Sequence, residues 1–555
     1  MTPPVRRPAS RRQVMAGLGA AVAAPAVVTL TGPEASAQAA PAGPAPSVVV
    51  PGSPRYDDLR VANNARWVAE PDAIVLVGDG RQVPDLVQRA VASGKRLSVR
   101  SGGHCYTDFV LNPDVDTVLD VSRLEDVAWD PQLGAFAVEP GGVLLEIYKK
   151  LYRGWGVTIP GGMCYSVGTG GHVVGGGYGL LSRRHGSTVD HLHAVEVVCV
   201  DARGKARAIR ATSDPKDPHH DLWWAHTGGG GGNFGVITKY WFRSPGHSGR
   251  TPEDTLIAPP RSVLVSALGI PWDSLDETRF AHLVRQFGRW HEENAGTARP
   301  AADLCSFLMM NHRSNGALGL LTVIDADAPD ARGTIERFVT RLLGAAGVER
   351  RELTDAVGEV GPMPGFVEPK LLPWLHSMSL LGTNNPTLTS PVLRGDHKSA
   401  YLKTGFTDTQ IAAIHRNLTR TDHANPQSMV VLLSYGGQIN ERPSGATAAA
   451  QRSSLFKGLF QSFWEGAEND AANIAWTRDV YTEVFAGTGG YPVPGPQTDG
   501  CYINYPDADI RDPAVNRSGV PWSRLYYGDN YARLLRVKRK YDPLDVFHHS
   551  QSVGS

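Results

Sequence analysis

The chain has 555 residues, including 61 glycines and 40 prolines, and it carries 55 basic (Lys and Arg) and 55 acidic (Asp and Glu) side chains. This length leaves room for two or more domains with substantial cores. A formal net charge of zero excludes a general electrostatic attraction to nucleic acid or to an anionic membrane surface, so we expect neither as a partner.

The first residues are predicted to form an export signal. The segment Ser10-Arg11-Arg12-Gln13-Val14-Met15 precedes an Ala- and Gly-rich apolar stretch at 16–30, and Ala35-Ser36-Ala37 offers a small-residue cleavage site. This order is typical of a twin-arginine signal. A membrane anchor is the alternative, but the stretch is short and weakly apolar. We therefore predict a signal at 1–37, a flexible lead-in at 38–64 and a secreted protein with no membrane attachment.

Two strand–helix–strand units follow. In the first, Ala73 to Val77 is predicted as a strand, the apolar spacing from Val83 to Val91 as a helix ending at Gly94, and Leu97 to Val99 as a second strand. This unit leads into Arg100-Ser101-Gly102-Gly103-His104-Cys105.

The second unit has the same order. A strand at Ala135 to Val138 precedes a helix face from Leu144 to Leu151 that is predicted to end at Gly154, and a strand-like return leads into Pro160-Gly161-Gly162-Met163-Cys164. Each unit thus places a nucleophilic side chain, His104 or Cys164, just after two glycines.

Glycine turns of this kind suit a phosphate-bearing cofactor. Backbone N–H groups with no Cβ beside them form a concave donor site for pyrophosphate oxygens. A thiol attacks an electron-poor ring as its thiolate, so Cys164 is expected to need a thiolate form. Cys105 would point away from His104 if the strand continued, which favours a packing role for it.

The other glycine runs do not match common nucleotide motifs. The run from Gly168 to Gly179 is too rich in glycine to be expected as a helix, and it follows a turn rather than a strand. The run Gly228 to Gly232 lacks the Gly-Lys-Ser/Thr of a phosphate-binding loop. Use of nicotinamide or ATP is therefore not expected.

The pattern changes after Pro245. Residues 246–261 are predicted as a loop, and strands are then predicted at Val263–Leu268, Leu304–Met310, Leu318–Ile324 and Met429–Ser434, with helices between them. Strands with few crossovers predict a largely antiparallel sheet with helices on one side. Residues 362–391 are predicted as a loop that contributes to specificity.

The chain carries no recognisable metal motif. Its five cysteines are scattered without a Cys-x-x-Cys pair, and the odd count leaves at least one of them without an internal partner. The pairs His219-His220 and His548-His549 lie among Pro and Asp and are predicted to be surface residues. We therefore predict no metal.

The two nucleophile segments and the run Gly168 to Gly179 resemble the flavin domain of the vanillyl-alcohol-oxidase superfamily, and more narrowly its berberine-bridge-enzyme-like branch. The segments Trp223–Pro245 and Cys501–Asp507 are similar to bacterial members of that branch that act on antibiotics. The resemblance implies FAD bonded twice, through its 8α-methyl group to His104 and through ring carbon C6 to Cys164.

The resemblance also implies an α+β fold in three parts. These are a two-subdomain PCMH-type FAD-binding domain at 65–245, a substrate-binding domain at 246–499, and a berberine-bridge-type C-terminal segment at 500–555 that packs on the FAD domain. The substrate-binding domain would contain a large antiparallel sheet covered by helices on one side. The residues implied at the cofactor are Arg100, Ser101, Gly102, Gly103, His104, Cys105, Cys164, Gly168, Thr169, Gly170, Gly171, His172, Gly175, Gly176, Gly177, Tyr178, Gly179, Gly235, Val236, Tyr502 and Asn504.

Oxidation of an alcohol needs a base for the O–H proton while hydride moves to flavin N5. Tyr502 and Tyr435 are the candidate bases, and Tyr178 is expected beside the ring. In a predicted strand Tyr502-Ile503-Asn504, the first and third side chains share a face and Ile503 points into the core. A tyrosine pKa near ~10 must fall for this role, and a second tyrosine sharing the proton would lower it. A purely structural Tyr502 or Tyr435 is the alternative.

These expectations combine into a secreted FAD oxidase acting on a hydroxyl of a sugar or glycosylated natural product, with molecular oxygen converted to hydrogen peroxide. Three alternatives stay open at this point. One is a dehydrogenase of the same fold with another electron acceptor, one is an oxidase of oligosaccharides or other secondary metabolites, and one is a vestigial sugar-binding flavoprotein. The oligomeric state is also open.

Overall fold

A four-stranded sheet begins the fold in the computed structural model, which describes residues 43–298 and 300–555. The strand order is β1-β2-β4-β3, with β2, β4 and β3 parallel and β1 antiparallel to β2. The strands and their helices are β1 Ser47–Val49, α1 Tyr56–Leu59, β2 Ala73–Leu76, α2 Val83–Ser93, β3 Leu97–Arg100 and β4 Thr117–Asp120. The helix α2 ends at Gly94, whose φ of 65° is left-handed, as the sequence predicts.

The described part of the predicted lead-in is ordered structure. Strand β1 pairs with β2 along its whole length, and Val49 and Tyr56 are buried against Ile74 and Val118. The prediction of a flexible lead-in is therefore wrong for residues 43–64, because two apolar side chains there complete a small core. The predicted signal at 1–37 lies outside the described residues.

A five-stranded antiparallel sheet in the order β5-β6-β9-β7-β8 follows in the chain. Its strands and neighbouring helices are β5 Val127–Asp130, β6 Ala135–Val138, α3 Leu144–Trp155, α4 Thr169–Val174, α5 Ser182–His185, β7 Leu192–Val200, β8 Ala206–Thr212, α6 His220–Ala225 and β9 Val236–Phe242. The two sheets give the two subdomains that the resemblance implies.

Two helix predictions in this region are wrong. Helix α3 continues through the exposed Gly154 and ends at Gly156, which takes the left-handed conformation at φ 71°. Helix α4 forms within the glycine run that was expected not to be helical. The Thr169 hydroxyl donates to the carbonyls of Glu139 and Gly142, both at 3.0 Å, so tertiary contacts override the low helix propensity of glycine.

The second half of the chain builds an eight-stranded antiparallel sheet in the order β13-β10-β12-β11-β16-β17-β15, with β14 also paired to β10. Helices cover one side of it, so the predicted α+β class and its large antiparallel sheet are confirmed. The elements are β10 Ser262–Pro271, α7 Glu277–Glu293, β11 Cys305–Asn311, β12 Ala317–Asp325, α8 Ala331–Leu343, β13 Arg351–Glu352, β14 Lys370–Pro373, α9 Trp374–Thr383, α10 Pro386–Thr389, β15 Arg394–Leu402, α11 Asp408–Thr419, β16 Ser428–Ser434, β17 Phe456–Trp464 and α12 Asp470–Val484.

Residues 362–391 are not a continuous loop, as was expected from their Gly and Pro content. They contain β14, α9 and α10, and Trp374, Met378 and Leu381 on α9 are buried. The amide N–H of Tyr165 donates to the carbonyl of Gly382 at 3.4 Å, so α9 packs beside the Cys164 turn.

The C-terminal segment contains α13 Trp522–Tyr527 and α14 Tyr531–Tyr541. It contacts the glycine run at 228–232 and the residue after it, because Tyr527 donates to the Gly229 carbonyl at 3.0 Å and Lys538 Nζ donates to the Asn233 carbonyl at 2.9 Å. The division of the chain at 245 and 499 stays a prediction. Within the described residues, no helix has both the length and the apolar character to cross a membrane.

Candidate active site

A cavity of ≈ 280 Å³ brings the two predicted nucleophiles together, since His104 and Cys164 both line it. Most of the predicted site residues lie at this cavity: Arg100, Ser101, Gly102, Gly103, His104, Cys105, Cys164, Gly168, Gly170, Gly171, His172, Tyr178, Gly179, Gly235, Tyr502 and Asn504. Six do not line it: Thr169, Gly175, Gly176, Gly177, Val236 and Tyr435. Val236 packs in the core of the first subdomain, and its neighbours Gly235 and Ile237 face the cavity instead.

The turn before His104 is anchored at Arg100, the last residue of β3. The Arg100 guanidinium bonds the Asp120 carboxylate at 2.5 Å and the Val61 carbonyl at 3.0 Å, so its charge serves the fold and is not free for a ligand. A Cβ on Gly102 would lie 2.3 Å from the amide nitrogen of Gly168. Only glycine therefore permits the two turns to cross this closely.

The backbone of this turn offers donors to the cavity. Among the described residues, none accepts a hydrogen bond from the amide N–H of Gly102, Gly103 or His104. Consecutive free N–H groups beside a cavity form a site for phosphate oxygens. The turn thus fits the cofactor that the sequence predicts.

The imidazole of His104 is arranged to act as a nucleophile. Its Nε2 is 2.9 Å from Ser166 Oγ, and within the described part of the chain no hydrogen bond reaches Nδ1. Burial lowers the pKa of His104 to about 4, so the ring is neutral at neutral pH. Nδ1 is the nitrogen that remains for a bond to carbon.

The Cys164 turn is fixed by two side chains. Tyr148 donates to the Gly162 carbonyl at 2.8 Å, and the Gly162 amide donates to Nε2 of His172 at 3.2 Å. Burial, together with the nearby Glu359 charge, raises the pKa of the Cys164 thiol to about 12. The expected thiolate is therefore not favoured by this environment, because among the described residues no cation lowers the pKa of the sulfur.

Cys105 shares this cavity with His104. Strand β3 ends at Arg100, so the premise that an extended strand turns Cys105 away from His104 is wrong. Burial raises the pKa of the Cys105 thiol to about 11. All five cysteines of the chain have free thiols.

A tyrosine cluster, defined here as Tyr178, Tyr401, Tyr435, Tyr502 and Tyr505, forms one end of the site. Its rings surround the ammonium of Lys457, whose Nζ lies 3.4 Å from the ring centroid of Tyr178 and 3.6 Å from that of Tyr502. Among the described residues Lys457 Nζ has no hydrogen-bond partner. Burial holds the pKa of Lys457 well below its usual value, while the ring faces attract its charge.

Tyr502 has a phenol oxygen that accepts two N–H groups. Gly177 N–H donates to it at 3.1 Å and Asn504 Nδ2 at 3.2 Å, and both bonds favour a phenolate. Burial raises the pKa of Tyr502 to about 12, and it raises the pKa of each other member of the tyrosine cluster further. Among the described residues, Tyr502 is thus the phenol of the cluster whose oxygen receives two N–H donors.

Three details of the predicted base are wrong. Tyr502 to Asn504 is a turn, closed by the Tyr505 amide donating to the Tyr502 carbonyl at 2.9 Å, and not a strand. Tyr178 and Tyr505 form a hydrogen-bonded phenol pair at 2.7 Å, and among the described residues no other phenol hydrogen-bonds to Tyr502. Tyr435 lies behind the cavity wall, with its hydroxyl 3.4 Å from the Gln451 carbonyl.

Several residues at the site were not found by sequence reasoning. Lys457 could have been noticed as a charge within the apolar run Leu455–Trp464, and Tyr505 as another aromatic residue in the segment Cys501–Asp507. Glu359 lines the cavity from a Gly-rich loop that carries no signal in the sequence. His549 was predicted at the surface but is buried, stacked on Phe109 with centroids 3.9 Å apart, because its Nε2 bonds the Gly231 carbonyl.

Comparisons with known proteins agree with this geometry. A family model described as an FAD binding domain matches residues 71–209, and one described as berberine and berberine like matches residues 501–554. The aclacinomycin-N/aclacinomycin-A oxidase of Streptomyces galilaeus is 44% identical over 90% of this chain and 88% of its own. The chain belongs to the berberine-bridge-enzyme-like family of FAD-linked oxidases.

Two further relatives support this membership. The hexose oxidase of Chondrus crispus is 31% identical over 90% of this chain and 93% of its own. The crystal structure of glycopeptide hexose oxidase complexed with teicoplanin is 43% identical, with a TM-score of 0.86 over 93% of this chain and 100% of that chain. The protein is therefore an FAD-dependent oxidoreductase. In the described residues, no group of three or more His, Cys, Asp or Glu side chains is placed to hold a metal.

Proposed function

We propose that the mature protein is an exported oxidase with FAD bonded to both His104 and Cys164, and that it oxidises a CH–OH group of a sugar or glycosylated natural product. One observation carries the proposal: both nucleophiles line the same cavity as Tyr502, whose phenol oxygen receives two N–H donors. Relatives whose names specify aclacinomycin, hexose and a glycopeptide support the substrate class.

The two nucleophiles would hold the flavin. His104 Nδ1 would bond the 8α-methyl carbon and Cys164 Sγ would bond ring carbon C6, while the free N–H groups at 102–104 would bind pyrophosphate oxygens. FAD when bound supplies a hydride acceptor at N5 and a route for two electrons to molecular oxygen, which yields hydrogen peroxide. Each bond would replace a C–H bond of the flavin, so each would release a proton and two electrons, and molecular oxygen, the acceptor named above, would take the electrons. With a thiol pKa of about 12, Cys164 would also lose its own proton to a base as its bond forms.

Tyr502 would take the hydroxyl proton of the substrate. Its phenolate is stabilised by the N–H groups of Gly177 and Asn504, and by a positive charge on Lys457 at the ring face. Burial opposes each charge alone, because it raises the pKa of Tyr502 and lowers that of Lys457. The two opposite charges stabilise each other, so the ion pair forms as a unit.

Peroxide formation and flavin reduction test this proposal separately. We expect the purified mature protein to form hydrogen peroxide with members of a panel of free sugars, oligosaccharides and glycosylated polyketides and peptides. The same compounds should bleach the flavin absorbance in the absence of oxygen. Flavin bleaching without peroxide formation in air would indicate a dehydrogenase instead of an oxidase. Failure of every alcohol in the panel to bleach the flavin would contradict the proposed chemistry.

A further inference from the structure

Glu359 is a charged residue at the cavity that has no role in the chemistry described above. Its carboxylate lines the cavity, and among the described residues it makes no hydrogen bond or ion pair. Burial raises the pKa of Glu359 to about 7, and part of its surface is accessible from the cavity. An isolated carboxylate in such a place is costly unless it has a partner of opposite charge.

The backbone holds Glu359 rigidly at this place. Val357 and Val360 exchange two backbone hydrogen bonds of 2.9 and 3.1 Å, so Gly358 and Glu359 form the tip of a tight turn. The Gly358 amide donates to Asn311 Oδ1 at 2.8 Å, and a Cβ on Gly358 would lie 2.7 Å from Met309 Sδ. The turn is therefore pressed against β11 and keeps the carboxylate at the cavity.

The electrostatic neighbours of Glu359 locate it in the cavity. Glu359 lines the cavity together with Cys164, Tyr106 and Tyr505, and its charge raises the pKa of each of these three groups. Burial is the one cause that shifts the pKa of Glu359, and the same holds for Lys457. Among the described residues no salt bridge joins Lys457 to Glu359, and Lys457 Nζ has no hydrogen-bond partner.

We propose that Glu359 binds a protonated amine of the substrate, so that the preferred substrates are glycosides that carry an amino sugar. This inference rests on the proposed function and names the substrate class for the same site. Neutral donors are already present, since Cys164, Tyr106 and Tyr505 line the same cavity, and among the described residues none of them is hydrogen-bonded to the carboxylate. A protonated amine differs from these neutral donors because its positive charge offsets the free-energy cost of desolvating the carboxylate.

The test compares glycosylated polyketides whose sugar carries an amine with their N-acetylated forms, which have no positive charge. We expect the holoenzyme to prefer the amine in each pair, both in kcat/KM for anaerobic flavin reduction and in Kd from calorimetry. In Glu359→Gln this preference should fall by about 10- to 100-fold, mostly through KM, as expected for loss of a charged hydrogen bond. Glu359→Asp keeps the charge and should retain part of the preference.

A matched control removes a carboxylate outside the cavity. Asp355 is exposed on the same segment, and Asp355→Asn changes the net charge equally, so it should keep the preference of the parent. A preference that survives in Glu359→Gln, or that falls equally in Asp355→Asn, would overturn the inference. So would amines and N-acetyl forms that bind the parent equally, or that both fail to bind.

The two proposals fail in different ways. Amine binding that depends on Glu359 but leads to no flavin reduction would contradict the proposed oxidation and leave the cation site in place. Flavin reduction by neutral and amino glycosides with equal kcat/KM would leave the oxidase in place and remove the cation site.

Discussion

At the scale of single residues, the proposed chemistry depends on the phenol of Tyr502 and the amine of Lys457. Burial favours the neutral form of each group when the other is uncharged. Tyr502 receives two N–H donors at its oxygen, and Lys457 lies over its ring. The hydrogen bonds act on the phenolate oxygen and the cation acts on the ring face. Their effects can therefore be separated by substituting one residue at a time.

Tyr502→Phe keeps the ring and removes the phenol oxygen. We expect flavin reduction by substrate to slow by ~10²–10⁴, the usual contribution of a general base. Reoxidation of the reduced enzyme by oxygen should not change, and anaerobic rapid mixing measures the two steps separately. Tyr435→Phe is the matched control, since Tyr435 does not line the cavity. A Tyr502→Phe enzyme that reduces at the parental rate would contradict the assignment.

Lys457→Met removes the charge with little change in side-chain length. The rate should rise with pH as Tyr502 ionises, because the phenolate is the form that accepts a proton. Without the cation the pKa of Tyr502 is higher, so this rise should move to higher pH by about one unit or more, and the rate at pH 7 should fall by about tenfold or more. A pH profile of flavin reduction measures the shift, and an unchanged profile would show that the cation does not act on the base.

His104→Ala and Cys164→Ala test the two flavin bonds. Each single variant should keep one covalent bond and stay yellow after acid precipitation, whereas the double variant should release its FAD. Mass spectrometry of the denatured protein gives the same answer as an added flavin mass. Complete release of FAD from Cys164→Ala would show that His104 forms no bond to the flavin. A parent protein without the added flavin mass would contradict both proposed bonds.

At the scale of elements, the C-terminal segment packs closely against the glycines at 175–177. A Cβ on Gly175 would lie 2.0 Å from Asn504 Oδ1, and Asn504 donates to Tyr502 and to the His172 carbonyl. The glycines at 175–177 therefore do not line the cavity, and they shape the backbone that supports the base.

Gly175→Ala should disturb both stability and catalysis. Displacing Asn504 should lower the free energy of unfolding by about 1–3 kcal/mol, the usual cost of overpacking, and should slow flavin reduction because Tyr502 loses a donor. Gly154→Ala is the matched control, since an added methyl there meets nothing within 4 Å and lies in α3, so it should stabilise by about 0.5–1 kcal/mol. Thermal unfolding measures both, and equal melting temperatures for the two variants would contradict the contact.

Much of this architecture could be predicted from the sequence. Runs of apolar residues identified strands such as β10, β11, β12 and β16, and the quoted motifs identified the two nucleophile turns. Strands β15 and β17 were missed because charged residues interrupt their pattern. Lys398 on β15 is fully buried and bonds Asp507 at 2.5 Å and Asp509 at 2.8 Å. Such pairing joins residues over a hundred positions apart, and no local pattern reveals it.

The same limit applies at the site. The resemblance to the family identified Tyr502, His104 and Cys164 as site residues, because each of them lies in a short motif. The roles proposed for Glu359 and Lys457 depend on their burial and on the hydrogen-bond partners they lack among the described residues, which are properties of the folded chain. Sequence periodicity carries no information on either property.

At the scale of the whole molecule, we expect export of a folded protein through the twin-arginine route. Replacing Arg11 and Arg12 together by Lys keeps the charge and should abolish most secretion, while the same change at Arg6 and Arg7 should have a small effect. The secreted protein should begin at Gln38, as N-terminal sequencing would show. Normal secretion of the Arg11 and Arg12 variant would contradict this route.

The proposed site draws its parts from distant segments of the chain: the two residues proposed to bond the flavin precede residue 165, whereas Lys457 and the proposed base Tyr502 come near the end. During synthesis, His104 and Cys164 therefore leave the ribosome long before Tyr502 is added to the chain. A nascent chain can present the flavin turns without the ability to oxidise anything. On this proposal, oxidation has to wait until the segment 500–555 has been synthesised and has folded back on the glycine run at 228–232, so the order of synthesis delays the chemistry.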